Sequence, residues 1–168
     1  MLAQEVEKIQ TDEILNCFKE NGAIVVPKKK PLNSIKRLEE LQALAATSNR
    51  ACIGQQINSG VFCSILDNHK VDLFAVLPRR GYNVHIELKD QKGSGTASEK
   101  LAHEYVYLSE RIYRTETARG YLICGDELYN RATRAIDQLM GHAAGFSDQR
   151  VFVLIQSHFI SLIPELVK

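Results

Sequence analysis

The chain has 168 residues, 45% of them hydrophobic and 24% charged, with 21 Lys and Arg against 20 Asp and Glu. That length and composition suit one globular domain with a sizeable core and exclude wholesale disorder. A net charge of +1 excludes a global field that would draw in polyanions, so any nucleic-acid contact must come from local basic clusters. The uninterrupted apolar run at residues 73–77 is far shorter than the ~20 residues that cross a bilayer, so no membrane partner is expected. The opening MLAQEVEKIQ is mixed and acidic, unlike a secretory leader. A cytoplasmic location is therefore expected, with Cys17, Cys52, Cys63 and Cys124 as reduced thiols, since none forms a CxxC pair.

In chain order, residues 2–21 read as a helix, with Leu2, Val6, Ile9, Ile14, Leu15 and Phe18 near helical spacing and Asn21-Gly22 as the stop. A short extended stretch, 23–26, leads into Pro27-Lys28-Lys29-Lys30-Pro31, a basic loop that its prolines keep from being helical. A second helix is expected from Asn33 or Ser34 to about Thr47, with Ile35, Leu38, Leu41 and Ala45 as its stripe. Residues 48–60 are polar and glycine-punctuated and read as a loop. Strands follow at 61–66, 70–77 and 82–89, the last two joined by a turn at Pro78-Arg79-Arg80-Gly81. Residues 82–89 alternate without exception: Tyr82, Val84, Ile86 and Leu88 on one face, Asn83, His85, Glu87 and Lys89 on the other.

Gly93-Ser94-Gly95 then breaks the chain, and Thr96 opens a T-x-x-E capping box with Glu99. A long helix is expected over 97–114, with Leu101, Tyr105, Leu108 and Ile112 on one side. A strand at 119–124, a helix at 127–142, a strand at 151–155 and the segment HFISLIPELVK complete the chain. A three-strand meander followed by strand–helix–strand crossovers predicts an α/β fold: a mixed central β-sheet with helices on both faces. One domain, 1–168, is expected, with a core at about 34–125, an N-terminal helix and basic loop at 1–33, and a C-terminal helix and strand at 126–168.

Glu87 and Lys89 stand at i and i+2, about 7 Å apart on one face of a strand. If 70–77 and 82–89 pair as a hairpin, Asp72 lies near Glu87 or Lys89 at the end away from the turn. Two close carboxylates repel unless a cation joins them, and a hard divalent ion with oxygen ligands does so. With a lysine beside it, such a site suits phosphodiester hydrolysis. The same residues can equally be a solvated Glu–Lys edge. A second acid-x-Lys triplet, Asp90-Gln91-Lys92, lies past the last apolar residue of the strand, so parity prefers Glu87 and Lys89.

Val71-Asp72, fourteen residues, then Glu87-Leu88-Lys89, inside an α-β-β-β-α-β order, resembles the PD-(D/E)XK nuclease superfamily, and its restriction-endonuclease-like branch best. The segment ELKDQKGSGTASEKL, 87–101, is similar to members in which the lysine precedes a polar residue, a glycine-rich turn and the next core helix. Val71 stands where the motif's name has proline. The resemblance implies a restriction-endonuclease-like αβββαβ core and a Mg²⁺-dependent DNA endonuclease, probing as a first expectation a sequence-specific restriction-type enzyme. Asp72, Glu87 and the backbone carbonyl of Leu88 would hold Mg²⁺, and Lys89 would orient the water or stabilise the phosphate. Glu39 or Glu40 from the first core helix and Gln91 are accessory candidates. A homing endonuclease or Holliday-junction resolvase on the same core is the alternative, as is a non-catalytic DNA-binding module that kept the fold.

Lys28, Lys29 and Lys30, held extended between prolines, are the expected contacts to double-stranded DNA, each displacing a counterion. Lys36-Arg37, Arg79-Arg80 and Arg131/Arg134 are further basic clusters that can be plain solvated surface. One chain of this size offers one active site, so cutting both strands predicts a homo-oligomer, a dimer or larger. Gly93-Ser94-Gly95-Thr96 could hold a phosphate at a helix start, but a turn and a capping box account for every residue of it.

Overall fold

The computed structural model describes residues 3–28, 34–58, 70–90 and 97–168. The elements in order are α1 (Ala3–Glu20), β1 (Ile24–Val25), α2 (Ser34–Ser48), β2 (Cys52–Asn58), β3 (Lys70–Leu77), β4 (Tyr82–Lys89), α3 (Ala97–Tyr113), β5 (Ala118–Cys124), α4 (Asp126–Arg131), α5 (Thr133–Ala144), β6 (Val151–Ile155) and α6 (Gln156–Leu166). The strands form one mixed sheet in the order β1-β2-β3-β4-β5-β6. β2, β3 and β4 are antiparallel neighbours; β1 runs parallel to β2, and β4, β5 and β6 are mutually parallel. Mixed α/β architecture is therefore as expected. Among the described residues no helix is long and apolar enough to cross a membrane.

The alternation of Tyr82–Lys89 sets the layers. Val84, Ile86 and Leu88 enter a core shared with Ile14, Leu15 and Phe18 of α1 and Phe159 and Ile163 of α6. On the other face α3, α4 and α5 cover β5 and β6 through Leu108, Ile112, Leu122, Leu128, Ile136 and Val153. α2 covers β2 and β3 through Leu41, Ala45, Ile57 and Phe74. Each fully buried Leu, Ile or Phe contributes roughly 1.5–3 kcal/mol, so these three clusters supply the main cohesion of the sheet. Gly120 lets α3 sit close on β5: a Cβ there would lie 2.8 Å from Ile112 Cγ1. Gly81, at φ +72°, supplies the left-handed residue that closes the β3–β4 turn.

Two expectations need correction. Residues 48–60 were expected as a loop, yet Cys52–Asn58 is β2, bonded to β3 from Cys52↔Val76 to Asn58↔Lys70. Alternation fails there for a structural reason. Ile53 enters the α1/α6 core and Ile57, four residues on, enters the α2 core, so the two do not share a face as in a regular strand. Gln56 lies between them at φ 53°. The helix expected over 127–142 is two helices that part at Ala132. A straight helix would set Leu128 and Ile136 about 80° apart, and the break lets both reach one core. The C-terminal segment is α6, which tolerates Pro164 near its end: the Ile160 carbonyl that a residue at 164 would have used accepts from Cys17 Sγ at 3.8 Å. The strand expected at 61–66, the turn at 67–69, Gly93-Ser94-Gly95 and Thr96 lie outside the described residues. So do Lys29, Lys30, Gln91 and Cys63, while Cys17, Cys52 and Cys124 are free thiols.

Candidate active site

The β3–β4 ladder runs from Leu77↔Tyr82 to Leu73↔Ile86. One step further, Asp72 meets the Glu87-Leu88-Lys89 run: its Oδ2 accepts from the Leu88 N–H at 2.9 Å. Its Oδ1 accepts from Gln56 Nε2 at 3.2 Å. In a strand the N–H and C=O of one residue face the same neighbour, so the Leu88 carbonyl is directed to the β3 side, where Asp72 sits. Burial pushes the Asp72 carboxyl up to about 6, and the adjacent Glu87 charge adds to the rise. The expected meeting of Asp72 with Glu87 and Lys89 at the end away from the turn is therefore what the geometry has.

The other partners come from α3. Glu87 is 2% exposed, and its Oε1 accepts from Arg111 Nη2 at 2.6 Å. Arg111 is 1% exposed, and its Nε and Nη1 have no hydrogen-bond partner among the described residues. Lys89 Nζ lies 3.0 Å from Glu104 Oε1. Burial works against the Lys89 ammonium, but the carboxylates of Glu104, Asp72 and Glu87 outweigh it and raise its pKa above the usual lysine value. Glu104 and Arg111 are seven residues apart, hence on the same flank of α3, beside the stripe of Leu101, Leu108 and Ile112. That spacing is a signal readable in the sequence, and it was missed.

Gln56 is the other missed residue. Apart from Asn49 it is the one non-glycine residue at positive φ among those described. A left-handed conformation costs about 1–2 kcal/mol for a residue with a side chain. Such outliers concentrate where a side chain must be aimed, and this one delivers its amide to Asp72. Arg37 Nη1 donates to the Gln56 carbonyl at 3.4 Å, which ties α2 to the same point.

Lys28 is exposed and lines a cavity of about 410 Å³ together with Asp72, Gln55, Gln56 and Lys8. The first lysine of the basic loop thus shares an opening with the candidate site. Glu39 and Glu40 are exposed on α2, and the carboxylate that meets Lys89 is Glu104 instead. His85 is buried, with its ring 5.0 Å from that of Phe74. Arg80 Nη2 donates to the Glu165 carbonyl and pairs with its carboxylate at 3.3 Å, and Arg79 Nη1 donates to the Lys168 carbonyl at 3.5 Å. Those two arginines hold α6 to the hairpin turn, far from Asp72.

The donor set fits a hard divalent ion. Two adjacent carboxylates and a strand carbonyl are oxygen ligands of the kind Mg²⁺ takes, and a divalent ion would offset the burial and the Glu87 charge that make Asp72 hold its proton more tightly than an ordinary carboxyl. Among the described residues no group of three or more His, Cys, Asp or Glu could close around a metal, so this pair would leave positions for water and phosphate. Comparison of the chain with protein-family models, curated proteins and solved structures finds no significant match.

Proposed function

We propose that this chain is a Mg²⁺-dependent DNA endonuclease that hydrolyses phosphodiester bonds, a restriction-type enzyme on a PD-(D/E)XK-like core. The observation that carries the reading is the Asp72 carboxylate bonded to the Leu88 N–H, which places both acids and Lys89 at one end of one hairpin. The order α2-β2-β3-β4-α3-β5 supports it, because it is the α-β-β-β-α-β order of that superfamily. Asp72, Glu87 and the Leu88 carbonyl would hold Mg²⁺, which polarises the phosphate and lowers the pKa of bound water.

The protein's own groups then have separate tasks. Lys89, charged and held by Glu104, orients the attacking water or a phosphate oxygen. Arg111 holds Glu87 in place through their buried ion pair. Gln56 fixes the second oxygen of Asp72. Lys28 and Lys8, at the mouth of the adjoining cavity, contact the DNA backbone. Cutting both strands of a duplex requires two such sites, which a cytoplasmic homodimer would supply.

Plasmid nicking tests this. Cleavage should need Mg²⁺, stop with EDTA, and fall by about 100-fold or more in Asp72→Ala and Lys89→Ala, as for loss of a group that stabilises transition-state charge. Unchanged cleavage in both variants refutes the site. Linear duplex against four-way junction substrates separates a restriction or homing role from junction resolution. One observation favours a second reading, a DNA-binding module without catalysis: Glu87 is closed off by Arg111. That reading expects salt-dependent duplex binding with no Mg²⁺-dependent nicking.

A further inference from the structure

The same end of the sheet has a second recess, also bordered by α1. It is a cavity of about 250 Å³ lined by Val6, Ile9, Gln10 and Glu13 of α1, Asp90 after β4, Asp126 and Glu127 at the start of α4, and Gln156 at the start of α6. The parity of β4 turns residue 90 to the side of Leu88, which packs with α1 and α6, and away from Glu87. Glu13, Asp90, Asp126 and Glu127 each line part of this cavity. The fold makes room for them: a Cβ on Gly125 would lie 2.4 Å from Asp90 Cγ. Glu13 and Asp126 are oriented by neutral donors. Gln156 Nε2 donates to Glu13 Oε2 at 2.7 Å, and Ser157 donates to Asp126 Oδ1 through N–H at 3.3 Å and Oγ at 3.1 Å.

A separate observation points to a ligand. Gln10 is 2% exposed, lines this cavity, and among the described residues neither its Oε1 nor its Nε2 has a hydrogen-bond partner. A buried amide left unsatisfied costs about 1–3 kcal/mol, and a bound donor would relieve it. The walls select among cations. The volume is several times the ~30 Å³ share of one water molecule, room for more than a lone ion. Val6 and Ile9, the latter 54% exposed, supply an apolar wall beside the acids. An alkyl chain can lie on that wall while its charged head reaches the carboxylates.

We propose that this cavity binds an organic cation, an alkyl chain ending in a guanidinium or ammonium group, with Gln10 Oε1 and the Glu13 and Asp126 carboxylates receiving its N–H donors. The proposal is independent of the nuclease reading, since none of these residues belongs to the Asp72 site.

Calorimetric titration of the full chain with agmatine, and separately with a capped arginine tetrapeptide, tests it. At low salt one of the two should bind saturably at one per chain. Glu13→Gln/Asp126→Asn should weaken binding at least tenfold. Gln10→Met, which keeps the volume, should weaken it severalfold while raising the melting temperature, a pairing that a purely structural role would not produce. Plasmid nicking without ligand should be unchanged in these variants. Agmatine binding alone supports a free small cation as the occupant, and peptide binding alone supports an arginine side chain of a partner. Binding of neither, or binding that survives both Gln10→Met and the double variant, overturns the site.

Discussion

Two charged regions lie at one end of the sheet, and they handle charge in opposite ways. Around Asp72 and Glu87, each strand carboxylate has a partner built into the chain: Glu87 has Arg111 of α3, and Asp72 has Gln56 and the Leu88 N–H, while Lys89 is matched by Glu104. Under α1 and α6, Glu13, Asp90, Asp126 and Glu127 each line part of a cavity. The first region is preorganised by opposite charges at short range. The second gathers acids around an opening, with Glu13 and Asp126 held by the neutral groups of Gln156 and Ser157. Residues of both regions issue from the exit of β4, Glu87 and Lys89 on one side and Asp90 on the other, so the contrast comes from which distant side chains each meets.

The comparison breaks most severely if Arg111 is removed. Arg111→Leu leaves Glu87 buried beside Asp72 without its guanidinium and should destabilise the fold by about 3–5 kcal/mol in urea unfolding. Glu87→Leu/Arg111→Leu should recover most of that loss, because both charges then leave together. If Arg111→Leu alone is neutral, the α3 side is not charge-balanced in the way described. Neutralising the other region with Glu13→Gln/Asp126→Asn should leave stability unchanged or raise it.

Asp72 sharpens the contrast through pH. Its folded pKa, about 6, lies above the ordinary 3.8, so between these values the folded chain binds more protons than the unfolded one. Its protonation therefore supports the fold at low pH, and that support is lost as pH rises through about 6. The change should be on the order of 2 kcal/mol between pH 4 and 7, and Asp72→Asn should remove it and be the more stable protein at pH 8. Mg²⁺ at pH 8 should raise the stability of the wild type and not of Asp72→Asn. A wild-type stability curve parallel to that of Asp72→Asn across this range would show that Asp72 is not so shifted.

The smallest effect concerns Gln56. Gln56→Gly relieves the left-handed backbone but loses the amide on Asp72, so the net change should stay within about 1 kcal/mol. Nicking should nonetheless fall severalfold, since the Asp72 carboxylate is then held by the Leu88 N–H alone. Full activity in Gln56→Gly would show that the strained residue serves only the bend of β2.

Local pattern alone carried much of this. The period-two run of Tyr82–Lys89 and the Pro78-Arg79-Arg80-Gly81 turn specify the hairpin, and parity then puts Glu87 and Lys89 on one face with Asp72 at the same end. The i, i+4, i+7 stripe of α3 likewise specifies its buried side. β2 escaped because its alternation is broken at Gln56, and a broken period hides a strand whose pairing comes from β3, up to 24 residues along the chain. The charge partners escaped for a related reason. Glu87 meets Arg111 across 24 residues, and Glu13 meets Gln156 across 143. Periodicity reports which side of an element is buried; which ionic groups are brought together, and whether an acid faces a base or an open cavity, is decided only when distant elements stack on the sheet.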